Sequence, residues 1–136
     1  MKKMLRVRAA PVIIAIAAIF IISALIFRAP ESPQISDLLC QRQQNPSSIM
    51  DTTPEFSWRF RGAGADDMQG GYQILVSSIQ SRLDDDYGDM WDSGRVYSKD
   101  SEVAYAGKAL SRNREYFWKV RVWNSKGDAG FYSEAQ

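Results

Sequence analysis

The densest group of chemically capable side chains in this sequence is acidic: Asp84, Asp85 and Asp86 in a row, then Asp89 and Asp92. Carboxylates at that density suit a hard cation, because calcium takes about six to eight oxygen ligands. The order is wrong for a helix–loop–helix calcium loop, which alternates its acids, places Gly sixth and closes on Glu. A like-charged run repels itself and stays wet, so the expectation is a solvated loop. Paired carboxylates also hydrolyse glycosides, flanking a sugar about 5–9.5 Å apart in a walled cleft. A chain of 136 residues that spends its large aromatics on alternating strand faces shows no second wall. There is no His, and Cys40 is the single cysteine. Intramolecular disulfides, Cys/His zinc sites and His-assisted nucleophiles are thereby excluded. No catalytic residue, cofactor site or metal ligand is assigned.

Aromatic side chains are the other candidates. Trp91 stands before Asp92-Ser93-Gly94 and could stack on a sugar ring. The competing reading packs it over a sheet edge while Asp92 or Ser93 hydrogen-bonds its own turn.

These residues have to be positioned by strands. Tyr116, Trp118, Val120 and Val122 alternate strictly with Phe117, Lys119, Arg121 and Trp123, the period-two mark of a strand with one buried face. Asn124-Ser125-Lys126-Gly127 closes it as a turn in which Gly supplies a positive φ. Glu55 to Arg61 sets Phe56, Trp58 and Phe60 inward, and Tyr72, Ile74 and Val76 mark a third strand after the Gly-rich loop 62–71. Ile35 to Gln43 reads as a first strand, Ser81 to Asp89 as loop, and Trp91 to Val96 as a turn entering a short strand. Glu102 to Tyr105 is another short strand, and Phe131 to Ala135 begins a last one. Strands at this spacing, without an amphipathic helix among them, predict an all-β sandwich of the immunoglobulin/fibronectin-III-like class.

Ahead of the strands, Ala9 to Phe27 carries no charge, and Lys2, Lys3, Arg6 and Arg8 precede it. Roughly 20 apolar residues span a bilayer as a helix, and basic flanks stay cytoplasmic. Residues 1–28 are therefore a transmembrane signal anchor or a cleaved signal peptide, 29–34 a linker, and 35–136 the sandwich. The last strand stops short of a full row of inner side chains, which suggests truncation. The body is expected at the cell membrane on its outer side, or secreted or periplasmic if the signal is removed. Excluding the five basic residues Lys2, Lys3, Arg6, Arg8 and Arg28, 12 basic side chains face 16 acidic ones. That balance argues against nucleic acid as a partner.

In order, Pro54-EFSW, Gln69-GGYQILVSS, Trp91-DSGRV, Tyr105-AGKAL and Tyr116-FWKVRVWNSKG resemble the N-terminal fibronectin-III-like module of bacterial α-L-rhamnosidases of glycoside hydrolase family 78. The resemblance covers about 35–135. It implies a non-catalytic module supporting a glycosidase catalytic domain that lies elsewhere, since in that family a helical-barrel domain carries the chemistry. A carbohydrate-binding module that holds a glycan, or a membrane-tethered adhesion domain, are the alternatives. Alternation puts Phe117 and Trp123, with Leu75 on the neighbouring strand, on the face away from the core. Together with Trp91 they are the candidate domain-interface or glycan-contact residues, and the first three are expected to form an exposed apolar face, the alternative being that the long stems of Arg121 and Lys119 cover the rings.

Overall fold

The computed structural model describes residues 32–134 and 136. The expected N-terminal anchor or signal, 1–28, lies outside the described residues, and no described helix is long and apolar enough to cross a membrane. Residues from Glu31 onward form a compact unit with its own core, which is what a domain needs to fold alone.

Among the described residues, six strands build two three-stranded antiparallel sheets. One has the order β1 (Gln34–Cys40), β2 (Glu55–Arg61), β5 (Glu102–Ala104). The other has the order β4 (Trp91–Asp92), β3 (Gln69–Ser77), β6 (Phe117–Asn124). Each sheet turns one face inward. Phe56 and Trp58 from β2 meet Tyr72, Ile74 and Val76 from β3 and Trp118, Val120 and Val122 from β6 in one core cluster. Phe56 and Trp118 stack across the gap with ring centroids 4.4 Å apart. The predicted inner rows of β2, β3 and β6 are thus the observed ones.

A buried indole needs an acceptor. Trp58 Nε1 donates to Gln69 Oε1 at 2.9 Å, and Gln69 Nε2 donates on to the Asp100 carbonyl at 2.6 Å. This bridge ties β2 to β3 through the core, so burying Gln69 leaves no amide unpaired.

The turn after β6 forms as its residues dictate. Asn124 Oδ1 accepts from the amides of Lys126 and Asp128, and Gly127 has φ 94°. Beyond it, the expected last strand lies along β6 without forming a regular ladder. The amides of Gly130, Ser133 and Gln136 donate to the carbonyls of Val122, Val120 and Trp118. Three residues are therefore used for every two of β6. A Cβ on Gly130 would collide with the Pro33 carbonyl, so this glycine lets the last segment pass close to the start of β1.

One expectation needs correction. Within the acidic stretch expected as loop, Gln80–Asp84 forms a short helix, α1. It packs on β3 and β6, and its Leu83 is fully buried. A single apolar residue in an acidic run gives no visible helical period, so the stretch reads as loop.

Candidate functional site

The candidate contact residues lie on the second sheet, and the face expected to be open is closed by the chain itself. Leu75 and Trp123 do lie opposite the core, in register with Lys119 and Gly71, and neither belongs to the core cluster. Yet Leu75 is 0 % exposed and Trp123 only 7 %. Helix α1 covers the β3–β6 surface, and Lys119, itself buried, pairs with Asp86 just beyond that helix. Phe117 is half-buried. The exposed apolar face predicted from alternation is therefore absent at Leu75 and Trp123. Alternation fixes which side a residue takes and says nothing about what a later segment lays over it.

Arginines close the remainder. The Arg95 guanidinium lies 4.6 Å and that of Arg121 4.7 Å from the Trp123 ring centroid. Arg95 also covers Tyr97 at 4.7 Å, and Arg121 covers Tyr132 at 4.6 Å. Tyr97, Arg95, Trp123, Arg121 and Tyr132 thus form one alternating ladder of rings and cations across three segments. Each such contact contributes about 0.5–1 kcal/mol when exposed and more when desolvated. Polar bonds fix its centre: Arg121 and the Tyr132 hydroxyl both donate to Gln73 Oε1, at 3.0 and 2.9 Å, and Gln73 Nε2 donates to Asp92 Oδ1.

Trp91 packs inward. Its ring lies 6.5 Å from that of Phe56 and 5.4 Å from that of Tyr105. Asp92 Oδ1 accepts from the Gly94 amide at 2.8 Å, and the Ser93 hydroxyl donates to the Gly94 carbonyl at 2.8 Å. These are the structural turn bonds that competed with sugar stacking.

Asp84, Asp85, Asp86 and Asp92 are exposed, as expected of a solvated run, and Asp89 is the exception. Asp89 has a side chain only 14 % exposed. Its carboxylate accepts from Ser77 Oγ at 2.6 Å, from the Ser78 amide and hydroxyl, and from Arg82 at 2.8 Å. Burial by itself would raise its pKa, but the serine hydrogen bonds and the Arg82 charge outweigh burial and hold the carboxyl well below the usual carboxylate range. A group depressed in the folded state stabilises above its unfolded pKa of about 3.9, and that contribution is lost as pH falls from there towards the folded value. Acid titration of the melting temperature should therefore show the parent falling below pH ~4 towards an Asp89→Asn variant that is less stable at neutral pH. Parallel curves would assign the acid sensitivity elsewhere. Among the described residues no group of three or more His, Cys, Asp or Glu could hold a metal ion.

Burial pushes the Cys40 thiol up to about 11, away from the thiolate that a nucleophile needs. Among the described residues, one shallow groove is lined by Ser32–Ile35 with Phe131–Glu134 and another by Gln41, Gln43 and 48–51. Each contains one carboxylate, Glu134 or Asp51, so neither brings together the pair that glycoside hydrolysis requires.

Known proteins share this sandwich. An α-L-rhamnosidase of Formosa agariphila is 37% identical over 100 residues, covering 73% of this chain and 10% of the relative. One of Streptomyces avermitilis is 40% identical over 91 residues, covering 66% and 9%. The solved α-L-rhamnosidase of Dictyoglumus thermophilum aligns with TM-score 0.73 at 38% identity, over 78% of this chain and 12% of that one. The Streptomyces avermitilis enzyme, solved with L-rhamnose, aligns with TM-score 0.72 at 34% identity, over 77% and 10%. This chain thus spans about a tenth of the length of these relatives. Residues 35–136 match the family described as Rha78A-like, N-terminal immunoglobulin domain, and with that coverage the chain belongs to it.

Proposed function

We propose that this chain is the supporting module of an exported or membrane-anchored α-L-rhamnosidase-like glycoside hydrolase, holding a catalytic region in place without taking part in the chemistry. The observation that carries this reading is the match of 35–136 to the N-terminal immunoglobulin domain of such enzymes. Purified residues 29–136 should not turn over an aryl rhamnoside. Turnover that disappears on replacing an acidic residue of the chain would refute the assignment.

Export rests on the uncharged run Ala9 to Phe27 behind four basic residues. Protease added to intact cells should digest the body and leave an N-terminal tag protected, because basic flanks resist translocation. A tag removed from outside, with the body spared, would reverse the topology.

A further inference from the structure

The end of the sandwich at which the body begins carries three exposed apolar side chains. Gln34 pairs with Arg61 in one sheet and Gln69 with Asn124 in the other. Gly130 joins the two sheets there: it presses against the Pro33 carbonyl while its amide donates to the Val122 carbonyl. The start of β1, the end of β2, the start of β3 and the end of β6 therefore share this end. Met68, Tyr97 and Phe131 stand beside them, 53 %, 78 % and 84 % exposed.

The core does not use these three side chains, yet their backbone is held in place. The Met68 carbonyl accepts from the Ser125 amide in the turn after β6. Tyr97 lies between Val96, which exchanges backbone hydrogen bonds with Tyr72, and Ser98, whose carbonyl accepts from Gln69 Nε2. Phe131 follows the tightly fitted Gly130. Apolar side chains gathered at one end mark an interaction site more strongly than the same residues scattered. The charged groups here do not form a basic patch, because exposed Arg61, Lys99 and Lys126 are set against exposed Asp66, Asp100 and Asp128.

The distance along the chain to the uncharged run Ala9 to Phe27 identifies the occupant. Only Arg28 to Glu31 separate Phe27 from Ser32. The steps from Phe27 to Ser32 reach at most about 18 Å, and the headgroup layer outside the hydrocarbon is itself about 5–8 Å deep. With the run in a bilayer, Ser32 stays within about 13 Å of the headgroups. The seven residues of β1 then rise about 23 Å towards the opposite end. The end bearing Met68, Tyr97 and Phe131 is thus the first to meet the headgroups, the level at which amphipathic rings such as Tyr settle.

We propose that the end of the sandwich bearing Met68, Tyr97 and Phe131 docks onto the lipid headgroup layer of the membrane that holds the run Ala9 to Phe27. The inference rests on the membrane-anchored reading given above and adds which surface of the body the bilayer covers. The test uses the full chain with Cys40→Ala and one exposed serine made the labelling site, Ser125→Cys at this end or Ser48→Cys at the other. Each carries an environment-sensitive fluorophore and is reconstituted into phosphatidylcholine vesicles containing a headgroup-nitroxide lipid. Flotation with the vesicles reads anchoring, and quenching reads docking. The label at 125 should be quenched at least twofold more than the label at 48. Tyr97→Asp with Phe131→Asp should abolish that difference, and the milder pair Tyr97→Ser with Phe131→Ser should reduce it. Both side chains are more than three-quarters exposed, so the melting temperature should stay near the parent's. Flotation with equal quenching at the two labels, or quenching that survives both pairs of substitutions, overturns the surface and leaves the anchor intact. A chain that does not float overturns anchor and surface together, without touching its membership of the family.

Discussion

Trp118→Ala in residues 29–136 should lower the unfolding free energy by about 3–5 kcal/mol, the usual cost of deleting a large buried aromatic. The indole is 5 % exposed and stacks on Phe56 across the sheets. Phe56 in turn touches the rings of Trp91 and Tyr105, so the cavity would open at the point where four aromatics converge. Such a cavity collapses poorly, because each neighbouring ring is held by its own strand or turn. Tyr105, for example, donates its hydroxyl to the Lys108 carbonyl at 2.6 Å. A loss of this size takes much of a domain's typical margin of about 5–15 kcal/mol. Denaturant unfolding measures it directly, and a midpoint within error of the parent's would show that this row does not face the core.

Trp123→Ala should cost about 3 kcal/mol or more, despite lying on the opposite face. The ring is 7 % exposed, so its removal leaves a hole comparable to that of a core aromatic. It also strips the guanidiniums of Arg95 and Arg121 of the ring between them. Arg121 Nε, already buried without a hydrogen-bond partner, would then lose one of the two rings that flank its guanidinium. Trp123→Phe keeps a ring in the ladder and should recover more than half of the loss. Stability unchanged in Trp123→Ala would mean that the ladder is open in solution.

The contrast between these two tryptophans shows how far the sequence is legible. Period-two alternation gives the side of every residue in β6, because a strand has no other periodicity, and Trp118 and Trp123 fall where it puts them. Burial on the second side depends on segments distant in sequence: α1 with Leu83, Arg95 after β4, and Tyr132 in the last segment. None of them announces its destination. Leu83 is one apolar residue among acids, and Tyr132 follows Phe131, which stands 84 % exposed. The hydrogen bonds of Asp89 are hidden for a related reason, since Ser77 and Ser78 lie more than ten residues away and look like ordinary strand-end polar residues. Turn chemistry, by contrast, is local. Asn124 to Gly127 and Asp92 to Gly94 could be read because the bonds that make them join near neighbours.

The three-for-two stepping of the last segment along β6 has a consequence for how the domain behaves in a crowd. Strand edges with unpaired amides and carbonyls recruit further strands and lead to aggregation. A segment that advances three residues for every two of its neighbour cannot present evenly spaced groups on its outer side. The other three edges are spoiled as well. β1 is broken by a register shift near Asp37, whose φ is 52°, while β4 has two residues and β5 three. A bulged or very short edge is a poor template for strand addition. With all four edges among the described residues unfit for it, this region can carry strongly β-forming sequences such as FWKVRVW and still resist polymerising through its sheets.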